Sequence, residues 1–89
     1  MMIGFMIRLW LDRYNMAITE FAELSGYDRK VVYSWIDCRC IPNNRSLRNI
    51  VDTVAHYAHW SNPTREAAFV KLMQLRETEL IWRKRRNEQ

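Results

Sequence analysis

The run Ala22-Glu23-Leu24-Ser25-Gly26-Tyr27-Asp28-Arg29-Lys30-Val31-Val32-Tyr33-Ser34-Trp35 reads as a helix, a tight turn and a second helix. Phe21, Ala22 and Leu24 give the first helix an inward apolar face. Gly26 follows, where a chain leaving a helix often needs a positive φ that glycine adopts at least steric cost. Asp28 offers a carboxylate to cap the next helix. In that helix Val31, Val32, Trp35 and Ile36 fall at the three- and four-residue spacings of a buried stripe. The other face presents Arg29, Lys30, Tyr33, Ser34 and Asp37, side chains that can bond phosphates and base edges.

Working outward, the composition is that of one folded helical domain. The chain has 89 residues, of which 48% are hydrophobic and 12% aromatic, too apolar for a disordered tail. Two Gly, two Pro and almost no alternation of apolar and polar residues favour an all-α fold. A chain this short buries a modest core, and pairing with a second copy would help it.

The net charge is +4, and its distribution says more than its total. Arg29, Lys30, Arg39, Arg45 and Arg48 against Asp28 and Asp37 leave +3 in residues 28–48, and residues 83–89 carry another +3. Residues 1–27 and 49–82 each sum to −1. Positive charge therefore gathers on the second helix of the quoted run, on the loop after it and on the C-terminal tail, which is the footprint of a duplex-DNA binder.

The remaining helices follow from periodicity. Ile3, Met6, Ile7, Trp10, Leu11 and Tyr14 predict a core helix over 2–14. Ala17 to Ser25 and Arg29 to Arg39 are the two helices of the central run. The second, at 1.5 Å per residue, is about 15 Å long, enough to lie along a major groove about 12 Å wide. Pro42 ends any continuation. Asn43 and Asn44, flanked by Arg39, Arg45 and Arg48, form the expected clamp on a phosphate backbone. Ser46 is the expected cap of a helix over 47–59, with Leu47, Ile50, Val51, Val54 and Tyr57/Ala58 inward. Ser61 or Asn62 caps a last, long helix over about 64–86, with Pro63 at its first position. Residues 1–60 are the expected DNA-binding part, and 61–89 the expected long C-terminal helix of the same domain, for core closure and dimerisation, with a basic tail.

Other chemistries find little support. Cys38 and Cys40 precede His56 and His59, but one residue separates the cysteines where zinc sites use two to four, so no metal is expected. There is no Gly-rich phosphate loop, no acid pair and no Cys-His or Ser-His arrangement beyond chance, so no enzyme and no cofactor are expected. No signal peptide is visible and no run of eighteen apolar residues occurs, so a reducing cytoplasm is the expected location and no membrane partner is expected.

The central run resembles the helix-turn-helix of the Cro/cI-type (XRE-like) DNA-binding proteins of phages and mobile elements. Four features carry the resemblance across roughly residues 5–60: Ala22 as the small residue at the helix crossing, Gly26 as the turn glycine, Val32 and Trp35 as the buried pair, and Trp35-x-x-Cys38-x-x-x-Pro42 in place of the family's tryptophan-x-x-glycine-x-x-x-proline. Cys38 stands where the family has glycine, Ala17 where it has a capping Ser or Thr, and Ile18 where many members have a phosphate-binding glutamine. The resemblance implies a five-helix, lambda-repressor-like all-α bundle. It implies base reading by Arg29, Lys30, Tyr33 and Ser34. Asp37 repels phosphate, so it either accepts from a cytosine amine or pairs with Arg39 or Arg45, the pairing being the one expected. Many relatives dimerise through a C-terminal helix or strand. This makes Leu72, Leu75, Leu80, Ile81 and Trp82 the expected homodimer interface, with Arg83, Lys84, Arg85 and Arg86 as tail contacts to DNA. The expected function is a Cro-like dimeric repressor on a palindromic operator, bound to the nucleoid. The alternatives are an antitoxin or antirepressor-type module that binds a protein through the last helix, and an excisionase-like factor that bends DNA.

Overall fold

The structure, a computed structural model, describes residues 2–87. Among them lie five helices and no strand: α1 (Ile3–Arg13), α2 (Ile18–Ser25), α3 (Arg29–Ile36), α4 (Asn44–Ala58) and α5 (Asn62–Asn87). The all-α expectation with a long final helix is met. At 26 residues α5 spans about 39 Å, and it accounts for most of the 43 Å long dimension of the molecule.

Turn chemistry sets where the helices stop. Gly26 closes α2 at φ 81°, its N–H donating to the Ala22 carbonyl at 3.0 Å. Asp28 caps α3, its Oδ1 accepting from Lys30 N–H at 2.8 Å. His59 ends α4 in the left-handed region at φ 58°. Two starts differ from expectation. Asn43, and not Ser46, caps α4: its Oδ1 accepts the Ser46 N–H at 2.8 Å, which moves the helix start back to Asn44. Helix α5 begins at Asn62, two residues early, with Ser61 Oγ accepting the Thr64 N–H at 3.4 Å.

The core is one cluster in which Ile3, Ile7 and Leu11 of α1 meet Phe21 and Ala22 of α2, Val32 and Trp35 of α3, Leu47, Ile50, Val51 and Val54 of α4, and Leu72 of α5. Each fully buried aliphatic or aromatic side chain contributes about 1.5–3 kcal/mol by leaving water. Because α2 and α3 have only eight residues each, one narrow face of each helix suffices for this core. Leu24 and Val31, expected inward, are therefore exposed. Leu72, expected at a dimer interface, is fully buried in the chain's own core, and Leu75 packs half-buried against it. At one end Trp60 stands edge-on to Trp10 at 5.3 Å and donates its indole N–H to Tyr14 Oη at 2.8 Å, joining the α4–α5 connection to α1.

Gly4 fixes how closely α1 approaches α3. A Cβ there would fall on the Trp35 carbonyl oxygen, with Cys38 Sγ at 2.9 Å and the Ile36 carbonyl oxygen at 3.0 Å. The backbone of α1 therefore lies directly on the end of α3, a contact only glycine permits.

Candidate nucleic-acid interface

Helix α3 is held from behind and open in front. Val32 and Trp35 anchor it in the core, and Trp35 stands edge-on to Tyr27 with ring centroids 4.9 Å apart. Tyr27 in turn donates its hydroxyl to Ser46 Oγ of α4 at 3.0 Å. These contacts fix the rotation of α3 about its own axis, which decides which side chains reach solvent. Arg29, Lys30 and Tyr33 do so, and no ion pair among the described residues engages either cation. Ser34 is half-buried, and its Oγ donates to the Val31 carbonyl at 2.6 Å. Its hydroxyl is thus turned back on its own helix, and what Ser34 offers at the surface is small size. Asp37 accepts from Arg39 at 3.4 Å, the expected pairing.

Arg29 and Lys30 also border a shallow cleft between the N-terminal ends of α2 and α3, lined in addition by Thr19, Ala22, Glu23, Tyr27 and Asp28. Neither Thr19 nor Glu23 belongs to the face that periodicity marks for DNA. The available signal for Thr19 is its place in the first turn of α2, whose cap residue Ala17 makes no side-chain hydrogen bond. Glu23 and Asp28 bring two carboxylates to the same cleft, so its field is mixed rather than uniformly positive.

The loop from Asp37 to Asn43 follows. Cys38 sits at φ 60°, the left-handed conformation for which glycine is the usual choice. Cysteine here therefore carries some backbone strain. Burial pushes the Cys38 thiol above its ordinary pKa of 9.0, with the nearby Glu79 carboxylate adding and Arg83 opposing. Asn44 and Arg45 are exposed at the start of α4, where the helix dipole favours an anion. Asn43 spends its side-chain oxygen on the cap.

Two of the expected contacts are committed elsewhere. Arg48 turns toward α5: its Nη2 and Nη1 donate to Glu66 Oε1 and Oε2 at 2.5 and 3.2 Å, and its guanidinium lies 4.7 Å from the Phe69 ring centre. The hydrogen bond from Arg48 holds the Glu66 carboxyl below its ordinary pKa. Arg83 donates to Glu79 Oε2 at 2.8 Å, to the Arg39 carbonyl at 3.2 Å and to the Cys38 carbonyl. It is an internal fastening, where a DNA-facing tail residue was expected. Lys84, Arg85 and Arg86 remain exposed. Arg86 lies 5.5 Å from the Trp82 ring, and with Trp82, Arg83, Cys38 and Met2 it lines one hollow. The basic end of α5 thus begins beside the turn that follows α3.

Among the described residues no group of three or more His, Cys, Asp or Glu side chains is placed to hold a metal ion, and no helix is long and apolar enough to cross a membrane. The chain matches no family model, no curated protein and no solved structure.

Proposed function

We propose that this chain is a sequence-specific binder of double-stranded DNA that acts as a small dimeric transcriptional repressor of the Cro type, working on the nucleoid in the cytoplasm. The observation that carries the reading is the face of α3: Arg29, Lys30 and Tyr33 stand exposed on a helix fixed from behind by Val32, Trp35 and the Tyr27–Ser46 hydrogen bond. In the major groove Arg29 would pair with a guanine edge, Lys30 would clamp a phosphate and Tyr33 would pack on a thymine methyl. Arg39, Asn44 and Arg45 would hold the backbone on the C-terminal side, with Lys84, Arg85 and Arg86 reaching the same strand from α5. Two copies would read half-sites about 34 Å apart, and occupation of a promoter would exclude polymerase.

Arg29→Ala tests base reading. Its expected effect is a loss of about 1–3 kcal/mol confined to sites with the preferred base at one position. An equal loss on every sequence would assign Arg29 to a phosphate instead.

One observation favours a second reading. Leu80, Ile81 and Trp82 are 39, 55 and 47% exposed, spread by about 100° per residue around the end of α5, and this exposed apolar area suits a protein partner as well as a second copy. An antitoxin or antirepressor-type module would use it while showing no preference among duplexes.

A further inference from the structure

The loop after α3 is held in place by two arginines of α5. Arg76 Nε donates to the Pro42 carbonyl at 2.9 Å, and Arg83, seven residues on, donates to the Cys38 and Arg39 carbonyls. Seven residues are two helical turns, so both guanidiniums project from one side of α5. Arg83 is itself held by Glu79, a carboxylate only 5% exposed, whose other oxygen accepts the Ile3 N–H at 3.0 Å. Glu79 thus stands at the start of α1 and at the end of α3 at once. The loop that follows carries Arg39 and delivers Asn43, the cap of α4, so its path sets where Arg39, Asn44 and Arg45 stand relative to α3.

We infer that Arg76 and Arg83 are positioning residues for the DNA-binding surface, strapping the 37–43 loop to α5 through its carbonyl oxygens and making no phosphate contact of their own. The inference rests on the DNA-binding reading. It assigns Arg83 a part separate from its basic neighbours Lys84, Arg85 and Arg86. At Arg83 a guanidinium is required because its two terminal nitrogens, held apart in a planar fork, reach the Cys38 and Arg39 carbonyls and the Glu79 carboxylate at once, whereas the three N–H groups of lysine radiate from one nitrogen; at Arg76 the bond comes from Nε, a donor position lysine lacks.

The test keeps charge constant. Arg83→Lys should weaken duplex binding by about tenfold while the slope of log affinity against log salt stays as in the wild type, and Arg76→Lys should behave alike. Lys71→Arg, exposed on the same helix and outside both the strap and the proposed DNA-binding surface, should change nothing. Wild-type affinity in Arg83→Lys would overturn the inference. So would an Arg83→Gln variant whose salt slope falls by about one while the Lys variant binds normally, since that marks a phosphate contact.

A second measurement does not depend on DNA. Cys38 is half-buried beside Arg83 and Cys40 is exposed, so an aromatic disulfide reagent should modify Cys38 slowly in the wild type and several-fold faster in Arg83→Lys. Equal rates would overturn the strap whether or not the chain binds DNA. A wild type with a strap but no duplex affinity would instead sink the function proposed above. Should Arg83→Lys fail to fold, hydrogen exchange of the Arg83 guanidinium in the wild type decides: slow exchange supports the strap and solvent-like exchange overturns it.

Discussion

Glu79 Oε1 accepts the backbone N–H of Ile3 at 3.0 Å, across 76 positions of sequence. Helix α1 has no side-chain cap of its own, because Met2 stands at the N-cap, and a carboxylate from the far end of the chain supplies one. The same carboxylate is salt-bridged to Arg83 at 2.8 Å with 4% of its side chain exposed. Removing Glu79 leaves the Ile3 N–H without its partner and takes the counter-charge from a half-buried Arg83. Glu79→Ala is expected to lower stability by about 1–3 kcal/mol in urea unfolding, and Glu79→Gln, which can still accept from Ile3, by less. A loss below about 0.5 kcal/mol, the range of ordinary surface substitutions, would show that the network does not hold the ends together.

Gly4 and Gly26 are the two glycines, and they are constrained for opposite reasons. Gly26 needs its positive φ but has open space around it, so Gly26→Ala should cost about 1 kcal/mol from backbone conformation alone. Gly4 has a helical backbone but no space, so Gly4→Ala must push α1 off α3 and should cost about 2–3 kcal/mol. Urea midpoints compared at constant slope would check this, and a larger loss at Gly26 than at Gly4 would contradict the close contact of α1 with α3.

The Arg48–Glu66 pair gives a pH dependence with a defined sign. The hydrogen bond from Arg48 holds the folded-state Glu66 carboxyl below its ordinary value of 4.5, against the opposing effect of burial. The pair's contribution is present above the unfolded value and is lost as pH falls through the folded one. The stability difference between wild type and Glu66→Gln should therefore be largest near neutral pH and shrink below about pH 4.5. Because both side chains are substantially exposed, added salt should shrink it too. A difference that grew on acidification would be the wrong sign.

Dimerisation is tested at Ile81, exposed near the end of α5. Ile81→Asp should halve the sedimenting mass while leaving the helical signal intact. Leu72→Asp is no substitute, because Leu72 is fully buried and its loss would unfold the monomer. An unchanged mass for Ile81→Asp would remove the end of α5 from any dimer.

What the sequence disclosed and what it withheld divide along physical lines. The α2–turn–α3 unit was legible because its signals are local: Gly26 at positive φ, Asp28 on the Lys30 amide, Val32 and Trp35 three apart in the core. The same periodicity overreached at Leu24 and Val31, since an apolar residue at the margin of a short helix reads the same whether its neighbour covers it or not. Nothing local marked Glu79 and Arg83. Spaced four apart on a long helix, they read as an ordinary surface pair, and only the fold brings Ile3, Cys38 and Arg39 to them. The partner of Arg48 was hidden for the same reason, Glu66 lying 18 positions away. The candidate surface on α3 was legible by residue, whereas the strap that holds the following loop was not.

The central claim is that the exposed face of α3 reads duplex sequence. Selection of bound duplexes from a random library, at a stated salt near physiological, tests it most directly. The account predicts enrichment of an inverted repeat with half-sites about one helical turn apart, and loss of one base preference when Arg29→Ala is put through the same selection. No enrichment, with only weak and salt-sensitive retention, would contradict it and turn attention to Leu80, Ile81 and Trp82 as the surface for a protein partner.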